Sequence, residues 1–102
     1  MQAGARHPMN SYQSEAAIMR AMAHPVRLQI LETLAHQSVC VCELQSVTHR
    51  RQAYVSQQLS ILRAAGMVSS EKEGLQVRYR LTWPDTDRLL EIIRLVGARR
   101  LE

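Results

Sequence analysis

The hydrophobic pattern of this chain changes from helical to strand period at Gly66, and that change narrows its fold more than any other feature. Before Gly66, Val55, Leu59 and Leu62 recur at i, i+4 and i+7, one stripe of a helix running from Gln52 to Ala65. After it, Val77, Tyr79 and Leu81 alternate with Gln76, Arg78 and Arg80, the period of a strand with one covered face. Residues 67–72 and 76–82 bracket Glu73-Gly74-Leu75, and such a pair around a glycine-containing loop reads as a β-hairpin. Gly66 stands where a glycine ends a helix. A helix running straight into a hairpin, within 102 residues, is consistent with one domain.

Upstream, a helix is expected from Ser14, with Ala17, Met19, Ala21 and Met22 as its apolar surface. His24-Pro25 breaks it, because a residue before proline is pushed out of the helical region. Pro25 then suits the first turn of a second helix, in which Val26, Ile30, Leu31 and Leu34 recur while Arg27, Glu32 and His36 fall elsewhere. A short segment, Cys40 to Val47, and a polar turn, Thr48 to Arg51, lead into Gln52. The last helix is expected from Pro84 to Glu102, with Asp85 and Asp87 in its first turn and Arg99 and Arg100 in its last, matching the helix dipole. Its stripe is Leu89, Ile92, Ile93 and Val96. Residues 1–11 read as a flexible arm and 12–102 as the folded domain. Phe is absent and only four residues are aromatic, so the core is aliphatic and methionine-rich. Met19, Met22 and Met67 are accordingly read as core, and His24 as a capping residue.

Helix, helix, short helix, turn, longer helix and hairpin make a mainly α chain with a two-stranded β-hairpin wing, a winged helix-turn-helix. The charge agrees. The net charge is +4; residues 50–80 carry six basic and two acidic groups, and the remainder carries seven of each. Basic charge concentrated around one helix and ribbon is the footprint of a phosphate-binding face. On the helix, Gln52, Tyr54, Ser56 and Gln57 suit base edges in the major groove. Arg50, Arg51, Arg63, Lys72, Arg78 and Arg80 suit phosphates, which position without specifying. An enzyme is not expected: there is no glycine-rich phosphate loop, no paired carboxylate site and no Ser/His/Asp set. No apolar run reaches the ~18–20 residues of a membrane span. Residues 1–10 lack a signal-peptide core, so a cytoplasmic protein is expected, which argues against a structural disulfide between Cys40 and Cys42. The rival from another class is a winged helix that binds protein instead of DNA.

The chain resembles the ArsR/SmtB type of winged-helix repressors over about residues 14–100. The resemblance is carried by Ala23-His24-Pro25-Val26-Arg27-Leu28-Gln29-Ile30-Leu31, Cys40-Val41-Cys42-Glu43-Leu44 and Val55-Ser56-Gln57-Gln58-Leu59. Leu62-Arg63-Ala64-Ala65-Gly66-Met67-Val68 and Gly74-x-x-Val77-x-Tyr79-x-Leu81 complete it. It implies a homodimer through the first and last helices. That dimer would hold a double-stranded DNA operator with an inverted repeat and be released by an effector. It also shows departures. Arg51 and Ala53 stand where the family often has a small capping residue and proline. Arg50 replaces an apolar residue, His49 a glycine, and Leu75 a basic residue at the wing tip.

Cys40 and Cys42 fall in a stretch resembling the family's metal box. On a continuous helix, residues two apart point to nearly opposite sides. Cys40 and Glu43, however, have capping-box spacing. An N-cap Cys40 is free of the helical backbone and its sulfur can swing toward Cys42, while helix N-termini favour the thiolate that binds soft metals. The family's third cysteine is replaced by Gln45, leaving His36, or His7 from a partner's arm, as candidate third ligands. The last helix offers only Asp85, Asp87 and Glu91, with no histidine. No cofactor is required; the implied inducer is As(III), Sb(III) or another thiophilic ion such as Hg(II), Cu(I) or Cd(II). Redox or reactive-sulfur sensing by the same dithiol stays open, with a longer sulfur bridge more comfortable than a direct bond. So does a role as two small buried fillers.

Overall fold

A computed structural model describes residues 9–101, with side chains from Ser11. Its elements are α1 (Met9–Met22), α2 (Pro25–His36), β1 (Val39–Cys40), α3 (Val41–Thr48), α4 (Gln52–Ala64), β2 (Val68–Glu73), β3 (Gln76–Leu81) and α5 (Thr86–Arg99). The order is the expected one with a strand added, β1. The largest differences in bounds are at the two ends: α1 begins at Met9, ahead of Ser14, because nothing between Asn10 and Ser14 interrupts a helix, and α5 covers Thr86–Arg99 within the expected Pro84 to Glu102. The arm expected over residues 1–11 lies mostly outside the described residues.

The break between α1 and α2 is made by His24. Its backbone is extended, with φ −159° and ψ 129°, and its Nδ1 accepts a hydrogen bond from Val26 N–H at 3.1 Å. That caps an orphan donor of α2. The end of α4 is a Schellman motif: Gly66 N–H donates to Arg63 O at 2.9 Å and Met67 N–H to Leu62 O at 3.0 Å. Gly66 makes this possible with φ +81°, and Leu62 and Met67, both fully buried, supply the accompanying apolar contact.

The hairpin closes on Gly74 and Leu75, with Glu73 paired to Gln76. The sheet has a third strand that period analysis does not reveal. β1 pairs antiparallel with β3, Val39 opposite Tyr79 and Cys40 opposite Arg78, giving the order β1-β3-β2. Two residues are too few to show an alternation. β1 therefore ties the segment just before α3 to the wing.

The core is aliphatic. Ile30, Leu31, Leu44, Val55, Leu59 and Leu62 are fully buried, so α2, α3 and α4 share one interior. Met22 and Met67 join it; Met19 does not, being 69% exposed on the outer side of α1. The α5 stripe is also largely uncovered: only Thr86 and Leu90 of that helix are buried.

The turn between α3 and α4 holds one non-glycine residue in the left-handed region, His49 at φ +57°. It is the C-cap of α3, and its N–H donates to Gln45 O at 2.8 Å. A Cβ in this conformation costs about 1–2 kcal/mol. His49→Gly is therefore expected to raise stability by about 0.5–1 kcal/mol in urea melts, after the entropy a glycine adds to the unfolded chain is deducted.

Candidate nucleic-acid interface and its dithiol

The outward face of α4 carries Gln52, Gln57, Ser60 and Arg63 exposed, with Ser56 half-buried. Arg51 is the N-cap of this helix and caps nothing with its side chain. These groups lie on the exposed side of the second helix of the helix-turn-helix.

Tyr54 differs. It is half-buried; its hydroxyl lies 3.3 Å from His24 Nε2, and the Arg50 guanidinium sits over its ring at 5.0 Å. Since Nδ1 of His24 accepts from Val26, Nε2 carries the proton of the neutral ring and donates to the tyrosine. Tyr54 is thus a post between the α2 N-terminus and Arg50, and it holds a cation at the mouth of the reading helix.

Sequence periodicity also missed Arg27 and Gln58. Gln58 is buried on α4, and its Oε1 accepts from Arg27 Nη1 at 2.8 Å. The same guanidinium donates to Ala21 O at 2.6 Å and Arg20 O at 3.3 Å. These are last-turn carbonyls of α1, which have no partner inside their own helix. Arg27 therefore fastens α1, α2 and the reading helix together. No local pattern could reveal this, because Arg27 and its partners sit on three different elements.

On the wing the expected phosphate ligands fall into two groups. Lys72 is exposed. Arg80 donates to Glu71 Oε1 at 2.8 Å. Arg78 donates to the Ser38 carbonyl and hydroxyl, at 2.5 and 3.3 Å, and lies 4.0 Å from Glu73. The wing so neutralises part of its own charge. Glu71→Gln is expected to free Arg80 and strengthen binding to duplex DNA about two- to fivefold at low salt. It should steepen log K against log salt by ~0.9, with stability changed by less than ~0.5 kcal/mol. Fluorescence anisotropy across a salt series reads both.

Cys40 and Cys42 are joined in a direct disulfide. A bond between these sulfurs is what the redox alternative allows; the correction is to the expectation that a longer bridge is more comfortable than a direct bond between residues two apart. The reason is the backbone at Cys40. With φ −89° and ψ 169° it is the last residue of β1 and the N-cap of α3, outside the helix, and the two Cα atoms are 5.4 Å apart, within the ordinary range. Glu43 Oε1 accepts from Cys40 N–H at 3.1 Å, the carboxylate half of a capping box. So short a loop removes almost no unfolded-state entropy, so the bond adds little to fold stability.

The disulfide opens on a cleft of about 330 Å³ between β3 and the start of α4, lined also by Val41, Gln52, Ser56, Gln76, Val77 and Tyr79. Cys40 is 7% exposed, whereas Cys42 is exposed. Among the described residues no group of three His, Cys, Asp or Glu side chains is placed to hold a metal. His36, at the exposed end of α2, is therefore not brought into a three-ligand set with the cysteines, and His7 lies outside the described residues. No helix among them is long and apolar enough to cross a membrane.

Comparison with known proteins gives a consistent picture. The profile of the bacterial regulatory protein, arsR family, matches residues 24–70. The biofilm growth-associated repressor of Agrobacterium fabrum is 40% identical over 78 residues, covering 76% of this chain and 67% of that protein. The crystal structure of Rv0081 from M. tuberculosis superposes with a TM-score of 0.81 at 36% identity, covering 94% of this chain and 95% of that one. The solution structure of the homodimeric winged helix-turn-helix DNA-binding domain of Mb0332 from Mycobacterium bovis gives 0.82 at 26% identity, covering 98% and 94%.

Proposed function

The chain belongs to the arsR family of bacterial regulatory proteins, as an ArsR/SmtB-type transcriptional repressor, and from that premise we propose that it holds its operator while Cys40 and Cys42 are free thiols and releases it when they are joined. Two copies pack through α1 and α5 and lay their α4 helices along an inverted repeat. Gln52, Ser56 and Gln57 read base edges; Arg50, Arg51, Arg63 and Lys72 hold phosphates, with Arg78 and Arg80 entering as their intramolecular partners let go. The repressor acts in the cytoplasm.

The observation that supports a thiol switch is the disulfide's place. It spans the joint between β1, which is paired to the wing, and α3, which shares its core with α4. Closing it removes two electrons and two protons from the thiols; an organic disulfide supplies the oxidation and leaves as two thiols. Both elements that touch DNA are thereby attached to the bond that forms.

The pairing of the two sulfurs favours one second reading. As thiolates they offer two soft donors, which fits Hg(II), Cu(I), an organoarsenical, or As(III) and Sb(III) with a further ligand from solvent. The described residues do not supply the four protein ligands of a structural zinc site.

The test is binding to the DNA upstream of the protein's own gene, measured for the dithiol and disulfide forms and for Cys40→Ser/Cys42→Ser. The dithiol form is expected to bind with affinity falling steeply with salt. The disulfide form should bind at least about tenfold more weakly, a difference of ~1.4 kcal/mol. Equal binding by both forms overturns the thiol switch. Release by arsenite, phenylarsenite or Hg(II) but not by oxidation would establish the metal reading in its place. Salt-insensitive binding would point to a protein-interaction module.

A further inference from the structure

We infer that the two cysteines are not equivalent: Cys42 is the sulfur that exchanges with a small polar disulfide, of about di- or tripeptide size, seated in the cleft between β3 and α4, and Cys40 is the sulfur that resolves the adduct. This rests on the thiol reading above and adds to it a site, an order of events and a class of reactant.

Three observations carry it. Cys42 is exposed while Cys40 is 7% exposed, and thiol–disulfide exchange needs an approach along the bond from outside. A reactant therefore reaches Cys42 first. The cleft before it, at about 330 Å³, lies at the lower end of the size of small-molecule sites. Its polar lining is uncharged: the amides of Gln52 and Gln76, the hydroxyls of Ser56 and Tyr79. Amide and hydroxyl groups pair with peptide-like carbonyl and N–H groups, so the fitting reactant is a small amide-bearing thiol in its disulfide form. Finally, Cys40 is the N-cap of an eight-residue helix, where the positive end of the dipole favours a sulfur carrying negative charge.

The steps balance. The Cys42 thiolate attacks one sulfur of RS–SR, forming Cys42–S–S–R and expelling RS⁻. The Cys40 thiolate then attacks Cys42 Sγ, forming the observed disulfide and expelling the second RS⁻. The two electrons leave the protein with the two RS⁻, and the two thiol protons go to solvent. While R remains on Cys42 it lies against Gln52 and Ser56, so the adduct covers part of the base-reading face before the ring closes.

Glutathione disulfide is the probe. In reduced Cys40→Ser the adduct cannot be resolved, and serine is itself a good N-cap, so this variant keeps its fold. Intact-mass measurement should show one glutathionyl group, mapped to Cys42. Reduced Cys42→Ser, with only the covered Cys40, should be labelled about tenfold more slowly. Labelled Cys40→Ser should bind operator DNA at least about tenfold more weakly than the same variant unlabelled. Equal or faster labelling of Cys40, or no labelling of either variant, overturns the assignment; an adduct that leaves DNA binding intact overturns the cleft as its seat. Selective Cys42 labelling in a protein whose dithiol and disulfide forms bind DNA equally would retain the site and remove the switch.

Discussion

Ile92→Glu combined with Val96→Glu is expected to make the protein a monomer and to weaken operator binding by about 10²–10⁴-fold, since the second half-site contact is then no longer intramolecular. Both residues are 55% exposed in the single chain, as are neighbouring apolar groups of α5 such as Leu95 at 61% and Leu89 at 40%. A contiguous uncovered apolar stripe on a chain this small is an interaction surface. The substitutions remove nothing from the chain's own core. The carboxylate introduced at position 92 stands one helical turn after Arg88, and the one at position 96 one turn before Arg100, pairings that offset the like-charge pair the two carboxylates make with each other four residues apart. Folding by circular dichroism should therefore survive while the mass in sedimentation halves. A pair of variants that stays dimeric, or a monomer that binds the operator with undiminished affinity, contradicts the assembly.

Arg27→Met should lower stability by about 3 kcal/mol, although Arg27 is not a core residue by type. Methionine keeps much of the packing of the arginine stem. What is lost is the donor set. Gln58 Oε1 is left buried without its partner, Ala21 O loses the charged donor it has, and Arg20 O keeps only Ala23 N–H. An unsatisfied buried acceptor costs about 1–3 kcal/mol, and hydrogen bonds to a charged donor contribute ~1.5–3 kcal/mol. The double variant Arg27→Met/Gln58→Leu removes both partners and is expected to recover about half of the loss. Additive losses in urea melts would show that the two groups do not act together.

Much of this fold is legible in local sequence because its decisive signals are local. Gly66 ends α4 with a bond three positions back while Met67 bonds five positions back. His24 caps α2 by reaching two positions forward, and the alternation of Val77, Tyr79 and Leu81 needs only its own strand. What could not be read depends on distant partners. β1 exists because Tyr79 and Arg78 lie beside it, some forty residues on. Arg27 looks like a solvent-facing charge until Gln58 is brought to it. Arg78 and Arg80 read as free cations because nothing in their own strand shows Ser38 or Glu71. At the dithiol, capping-box spacing gave the non-helical backbone of Cys40 and the closeness of the sulfurs. The direct bond and the cleft were not readable, since the cleft is built from four elements that meet only after folding.

The joint between β1 and α3 carries its two sulfurs on side chains that belong to neither the reading helix nor the hairpin tip. On the reading proposed above, exchanging residues at positions 40 and 42 would change the chemical this protein answers to while the phosphate-holding residues stay in place. Detector and address would then overlap only at Gln52 and Ser56, which line the cleft and also stand on the outer face of α4.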